Sequence, residues 1–310
     1  MTAYKTYTEN QLFSPEISTT TGYSKLYVNA GKVTNKGIEL ALGFKQNIGP
    51  VDWKTTLLWS LNRNRIDQLL PEYTNEELGV TVHLDEMDVY SLGGAKQRLT
   101  VGGSMGDVYV NTMRTDEHGH IWMNSMTGTL ETDKNNYVYA GNTNPKYTLS
   151  WRNEFNWKGI SLGFMLNARV GGIGVSATQA VMDYYGVSKT SAEARDNGGV
   201  KVNGQMIDAQ TWYQTIGANG TGYVGSMYVY SMTNVRLGEL TLGYDIPINK
   251  WCKWISGLNV SFVGRNLWML YCKAPFDPES TASTGTYNQG MDYFMQPSLR
   301  SMGFSAKISF

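Results

Sequence analysis

Between Lys146 and Val170 the chain alternates apolar and polar residues twice over. Tyr147, Leu149, Trp151, Phe155 and Trp157 interleave with Thr148, Ser150, Arg152, Glu154 and Lys158. After Gly159, Ile160, Leu162, Phe164, Leu166, Ala168 and Val170 interleave with Ser161, Gly163, Asn167 and Arg169. Period two is the signature of a strand with one apolar and one polar face, and two such arms around Lys158-Gly159 predict a hairpin. Each arm runs about twice the length of an ordinary strand, and about what a tilted strand needs to cross a hydrocarbon layer. Chains that fold into helix bundles or parallel α/β sheets do not carry this pattern.

The same alternation recurs along the chain. Ile38, Leu40, Leu42 and Phe44 alternate with Glu39, Ala41, Gly43 and Lys45, and after Gly49-Pro50 a second arm carries Trp53, Thr55, Leu57, Trp59 and Leu61. Leu240, Leu242, Tyr244 and Ile246 form another arm, followed by Leu258, Val260, Phe262, Trp268 and Leu270. The chain ends with Met302, Phe304, Ala306, Ile308 and Phe310 on one parity. Tyr4 to Phe13 reads as a weaker strand, followed by a polar stretch with Pro15 and Gly22. Residues 67 to 145 break into short pieces with room for an extra hairpin near 98 to 114. In the excursion from 171 to 227, Thr190-Ser191-Ala192-Glu193 reads as a capping box and Gly198 as the stop of a short helix. If successive long strands are antiparallel neighbours, the connections at 46–52, 158–159 and 247–256 share one end and all the long ones share the other. That sorting, with about eight to ten strands, predicts an all-β fold built on an antiparallel transmembrane β-barrel with long external loops.

Composition narrows the function. Twenty-six basic residues balance twenty-six acidic ones, which leaves no electrostatic footprint for nucleic acid. Aromatics make up 12% and 34 glycines stand against 8 prolines, a mix suited to strands and turns. No apolar run reaches the ~18 residues of a spanning helix, and the N-terminus carries no signal peptide.

No catalytic, cofactor or metal site emerges. Gly172-Ile173-Gly174 mimics a dinucleotide fingerprint, but the strand before it carries Asn167 and Arg169, unlike the apolar strand of a parallel sheet. His118 and His120 flank Gly119 and could be drawn as metal ligands with Asp116, but no further ligand stands at a recognisable spacing and they read as a polar turn. Glu131 and Asp133 lack the glycine of a calcium loop. Cys252 and Cys272 are expected as free thiols, since a strand between them puts them on the order of 45 Å apart at ~3.3 Å per residue.

Several stretches resemble the SusC/RagA-type TonB-dependent transporters: NKGIEL at 35–40, GNTNPKYTLSW at 141–151, VRLGELTLGYDIP at 235–247, GRNLWML at 264–270 and Asp277-Pro278-Glu279. Asp183, Gly186, Ser188, Thr190 and Arg195 are similar to an external loop of that family. The resemblance implies that residues 1–310 are the C-terminal part of a barrel of twenty-two strands, with plug, TonB box and signal peptide outside this chain. It implies an outer-membrane location and nutrient import, with no enzymatic activity. The implied partners are a SusD-like surface lipoprotein, the TonB complex acting through an N-terminal part, an oligosaccharide or peptide, and outer-membrane lipid. Phe310 would serve as the barrel-assembly signal. Substrate contact is expected at Trp212, Tyr213, Tyr184 and Tyr185 in the loops and at Arg152 and Arg169 on the strands. Two alternatives stand beside import: a small independent outer-membrane barrel with a structural or adhesive role, and a soluble all-β carbohydrate-binding module.

Overall fold

The computed structural model describes residues 1–13, 27–76, 79–124, 126, 129–220, 222–248, 251, 254–280 and 289–310. Pro15, Gly22 and Cys252 lie outside them, whereas Cys272 is a free thiol.

In chain order, β1 (Thr2–Phe13), β2 (Val28–Ile48) and β3 (Val51–Gln68) open the structure. A first excursion holds β4 (Leu70–Asn75), β5 (Val80–Leu84), β6 (Glu86–Leu92), β7 (Ala95–Thr100), β8 (Asp107–Met113) and β9 (Thr132–Asn142). The central hairpin is β10 (Tyr147–Trp157) and β11 (Ile160–Val170). A second excursion holds β12 (Ile173–Ser176), α1 (Ala177–Tyr184), α2 (Lys189–Asp196), β13 (Val200–Val202), β14 (Gln205–Ile207), α3 (Ala209–Gly217) and β15 (Val229–Ser231). Then follow β16 (Asn234–Ile246), β17 (Gly257–Cys272), the short β18 (Met291–Asp292) and β19 (Ser301–Ser309).

Eight long strands form one antiparallel sheet in the order β1-β2-β3-β10-β11-β16-β17-β19. Lys158 and Gly159 both have positive φ, 46° and 87°, as a two-residue type I′ turn requires. The turn pairs Trp157 with Ile160 and so sets the register of the centre. The side chains then sort by parity. Lys54, Arg152, Glu154, Glu239 and Thr241 line one face. On the other, Phe44, Trp53, Phe155 and Phe164 form a row of rings with centroids 5.7–6.4 Å apart. Much of this apolar face is open, with Phe44 51%, Trp157 45%, Leu242 52% and Phe304 86% exposed.

Gly37, inside the NKGIEL stretch, stands opposite Tyr4 across the β1–β2 ladder. A Cβ there would meet the Tyr4 ring at 2.2 Å, so the ring lies flat over the glycine and its hydroxyl donates to Asn62 Oδ1 at 3.3 Å. That contact pins β1 to the sheet.

The largest core lies under the excursions. Ala95, Val108, Val110, Val175, Ala180, Trp212, Ile216, Tyr223 and Tyr228 pack together, and Ala30, Val33, Ile66, Leu69, Leu70 and Leu99 form a second cluster at the end of β2 and β3. Gly94 and Gly225 touch backbone to backbone between them: a Cβ on Gly94 would lie 1.9 Å from the Tyr223 carbonyl. β7 and β8 belong to a separate sheet, β6-β7-β8-β9, which answers the hairpin expected near 98 to 114. The short helix expected near 190 is α2, but Ser188 caps it by accepting from the Ser191 N–H, two residues before the expected box.

The barrel expectation is corrected. Among the described residues no sheet closes: β1 pairs only with β2 and β19 only with β17, so the long sheet is open with two free edges. Closure needs a partner on both sides of every strand, which alternation within each strand does not supply. The expected outer-membrane location and import rested on that closure, and the described residues do not form it. No described helix is long and apolar enough to cross a membrane.

Replacing Gly37 with Val should displace the Tyr4 ring and cost about 1 kcal/mol of cross-strand packing. Hydrogen exchange should then quicken along Thr2–Phe13 while the β10–β11 hairpin keeps its protection; equal quickening in both would show that the ring does not anchor β1.

Candidate functional site

Where the ends of β3 and β9 meet the β7–β8 turn and the β9–β10 connection, the surface folds into a cleft of about 710 Å³. Asn62, Arg63, Asn64, Arg65, Gly102, Ser104, Asp107, Tyr139, Asn142, Asn144, Lys146 and Ile173 are among its lining residues. The walls are held by a continuous set of hydrogen bonds. The Ile66 N–H donates to the Gly103 carbonyl at 2.9 Å and the Gly102 N–H to the Ile66 carbonyl at 2.8 Å, which splices the turn onto β3. Asn64 Oδ1 accepts from the Ser104 hydroxyl and from the Met105 N–H. Asp107, 6% exposed, accepts from the Ser104 N–H at 2.8 Å and from Asn142 Nδ2 at 2.7 Å. The Tyr139 hydroxyl donates to Asp107 at 3.4 Å. Burial, and then that carboxylate, raise the Tyr139 pKa above its ordinary value, so the hydroxyl stays protonated.

The β9–β10 connection is tight for a physical reason. The Thr143 N–H donates to the Gly106 carbonyl at 2.9 Å, and the Asn144 N–H to Asn142 Oδ1 at 2.7 Å. A Cβ on Gly106 would lie 2.6 Å from Asn144 Nδ2. Gly172, at φ +84°, approaches the Thr143 carbonyl so closely that its Cβ would lie 2.8 Å away. These residues come from the GNTNPKYTLSW stretch and the Gly-rich run after β11, so neither run is a nucleotide loop here.

Arg169 stands behind this wall. Its Nη2 donates to the Thr143 carbonyl at 2.7 Å, and burial pulls its pKa below the ordinary value. Arg152 lies away from the cleft on the polar sheet face, where its Nε meets Glu154 at 2.8 Å and lines cavities of about 180 and 360 Å³. Of the four loop aromatics, Tyr184, Trp212 and Tyr213 sit on helices and Tyr185 caps the end of α1. Trp212 is 8% exposed in the core, and Tyr213 packs against that core, its pKa raised by burial and by Asp183. The Tyr184 and Tyr185 rings lie 5.1 Å apart, with the Tyr185 hydroxyl donating to Asn219. Phe310 is 91% exposed beyond β19. The structure thus brings none of the four aromatics to the cleft. The cleft residues escape sequence reasoning because four separated segments build it; the one local signal is the dense Asn-Gly content of 141–144.

Three of the resemblance-bearing stretches meet at a second place. Arg236, 4% exposed on β16, donates from Nη2 to Asp277 at 2.7 Å and from Nη1 to Asn266 at 3.1 Å and Ser298 at 3.3 Å. Glu279 lies 3.4 Å from the same Nη1. Asn266 takes a positive φ of 52° to reach it. Burial alone would raise the Asp277 pKa, but hydrogen bonds from the Ser298 hydroxyl, the Glu279 and Ser298 N–H groups and Arg236 outweigh it and hold it at about 2. The hub fastens the connection between β17 and β19 to the middle of the sheet.

His118 and His120 are turn residues, their N–H groups each 2.9 Å from Asp116 Oδ1. No group of three metal-ligating side chains occurs among the described residues.

No family model matches the chain. The TonB-dependent receptor P3 of Formosa agariphila is 23% identical over 337 aligned residues, covering 99% of this chain and 32% of that protein. The structure of the RagAB peptide transporter superimposes with a TM-score of 0.70 at 16% identity over 98% of this chain and 32% of the other. The RagAB peptide importer in its open-open state gives 0.64 at 16% over 99% and 32%. The chain is thus distantly related in fold to SusC/RagA-type transporters and spans about a third of their length. The expected identity as a C-terminal barrel segment is corrected to this distant relation, because the sheet ends in two open edges.

The Asp277 carboxyl is depressed from an ordinary ~3.9 to about 2, so its stabilisation is present above about pH 4 and is lost as pH falls through about 2. It is worth at most about 2–3 kcal/mol. Urea unfolding between pH 5 and 2 should show that loss, and Asp277→Asn should flatten it. Arg236→Met, which strands a buried carboxylate, should cost about 3–5 kcal/mol at pH 7; a loss under 1 kcal/mol would mean that the hub does not fasten the connection.

Proposed function

We propose that this chain is a non-catalytic all-β binding module that takes an oligosaccharide or a peptide into the cleft between β3, β9 and the β7–β8 turn. The observation that carries the reading is the cleft itself: about 710 Å³, within the range of small-ligand sites, with convergent polar side chains on walls fixed by backbone hydrogen bonds. Pre-formed walls lower the ordering cost of binding. The tyrosine at position 139 offers a ring edge beside them, a group that both packs and hydrogen-bonds.

The distant relation in fold supports the choice of ligand and partner. A RagAB assembly is described as a peptide transporter, and the P3 receptor as TonB-dependent. By analogy, the partner of this module is a SusD-like lipoprotein that delivers the ligand, within a TonB-linked system. The cleft lies at the end of the sheet where the long excursions emerge, the accessible end for a delivering partner.

Asn62 is exposed at the cleft wall in β3, and a tryptophan there is compatible with a strand. Titration calorimetry of the full chain against panels of oligosaccharides and short peptides should find ligands that are recovered chemically intact. Asn62→Trp should weaken them at least 10-fold, about 1.4 kcal/mol, while the β10–β11 hairpin keeps its hydrogen-exchange protection. Ligands bound equally well by Asn62→Trp would place recognition elsewhere and sink the assignment of the cleft.

A further inference from the structure

Much of the cleft's acceptor capacity is spent on its own walls. Asn64 Oδ1 takes the Ser104 hydroxyl and the Met105 N–H, Asn142 Oδ1 takes the Asn144 N–H, and both oxygens of Asp107, the acid among the lining residues, are occupied. What faces the space is the opposite chemistry. Arg63 donates only to backbone carbonyls, Pro145 at 3.3 Å and Asn62 at 3.5 Å, and among the described residues no carboxylate pairs with it or with Lys146. Arg65 has a loose contact with Asp67, at 3.8 Å, and stays 70% exposed. The amide N–H groups of Asn62 and Asn64 also remain unspent. Three cations against one internally satisfied acid leave the site positive and rich in donors.

We propose that this cleft selects an anionic saccharide, one whose sugar carboxylates sit between Arg63, Arg65 and Lys146 while its hydroxyl and ring oxygens accept from the asparagine amides. The proposal rests on the binding-module reading and sharpens it. A guanidinium presents paired N–H groups that match a carboxylate, and a charged acceptor makes the stronger hydrogen bond. An acidic peptide fits less well. Each of its backbone N–H groups needs an acceptor, and Asn64 Oδ1, Asn142 Oδ1 and the Asp107 carboxylate already accept from the cleft's own walls, so a peptide finds few partners for its fixed donors. A sugar hydroxyl can turn its O–H toward solvent or a neighbouring sugar oxygen while its own oxygen accepts from the cleft. Ile173 is the single large apolar side chain of the lining, which leaves no pocket for an apolar peptide side chain either.

The test is titration calorimetry of the full chain with three probes: tetragalacturonate, its uncharged counterpart galactotetraose, and tetraglutamate. Tetragalacturonate should bind at least 10-fold tighter than galactotetraose at low salt, and its affinity should fall as salt rises, since exposed charges are screened within about 10 Å at 0.1 M. Lys146→Gln and Arg63→Gln should each weaken tetragalacturonate by about 10-fold and flatten its salt dependence. The salt dependence of the unaltered chain stands even if a variant folds poorly. Equal binding of the charged and neutral saccharides, abolished by Asn62→Trp, would keep the binding module and overturn the anion selectivity. Tighter binding of tetraglutamate would overturn the saccharide assignment. Failure of all three probes would remove this inference, while the broader panel would still decide whether the module binds at all.

Discussion

The register of the central hairpin governs the rest. Lys158 and Gly159 adopt the left-handed conformations of a type I′ turn, and the chain can pair Trp157 with Ile160 only because they do. A shift by one residue would move every side chain to the opposite face. Arg152 and Glu154 would then lie among Trp53 and Phe164, two charges among stacked rings. The neighbours inherit this register: Phe155 faces Trp53 on β3, and Leu162 faces Leu242 on β16. One turn thus propagates a chemical sidedness across the sheet. The Asp245 N–H, bonded to the Gly159 carbonyl at 2.7 Å, ties the turn itself to the third strand.

At the other end of the sheet, order comes from polar contacts rather than from alternation. Long excursions cannot be held by a two-residue turn, and here each is clamped by a buried polar group. Arg236 gathers Asn266, Asp277, Glu279 and Ser298, drawn from positions up to 62 residues away. Arg169 holds Thr143, and Asn111 Oδ1 accepts from the Gly225 N–H at 2.7 Å. Such groups stabilise little in net terms, but removing one partner strands the other in a dry place. This accounts for the polar residues in the stretches that bear the family resemblance: they hold the connections in position, whereas the apolar positions could be exchanged for others of similar shape.

The legible part of the fold was the part encoded locally. Alternation in 38–44, 53–61, 147–157, 160–170 and 240–246 named long strands, and the structure pairs them in the expected antiparallel neighbours. Closure was not legible, because alternation within a strand records nothing of which distant strand it pairs with. Trp212 was read as a loop aromatic near substrate, yet it lies in the core. The signal was present: Asp208 caps α3 by accepting from the Thr211 N–H, and Trp212 and Ile216 fall four apart on one helical face. The aromatic content of the region had outweighed its periodicity. The cleft was hidden for the same reason as closure, since Arg63, Asp107, Asn144 and Gly172 come together only through tertiary structure.

Sheet and cleft meet in β3, and the meeting explains why the cleft lies where it does. Along this strand the apolar parity runs through Trp53, Leu57, Trp59 and Leu61, and the pattern fails at Arg63, within the polar run of residues 62–65. Beyond the point where β10 ends its pairing at Ser60, β3 loses its neighbour on that side. Its backbone then takes a new partner on that side, the 102–103 turn, while β2 stays paired on the other. A strand that outlasts its neighbour must satisfy its ladder elsewhere, and the segment that comes to do so brings Ser104 and Asp107 with it. The cleft is therefore a consequence of unequal strand length, built where an 18-residue strand runs past an 11-residue one.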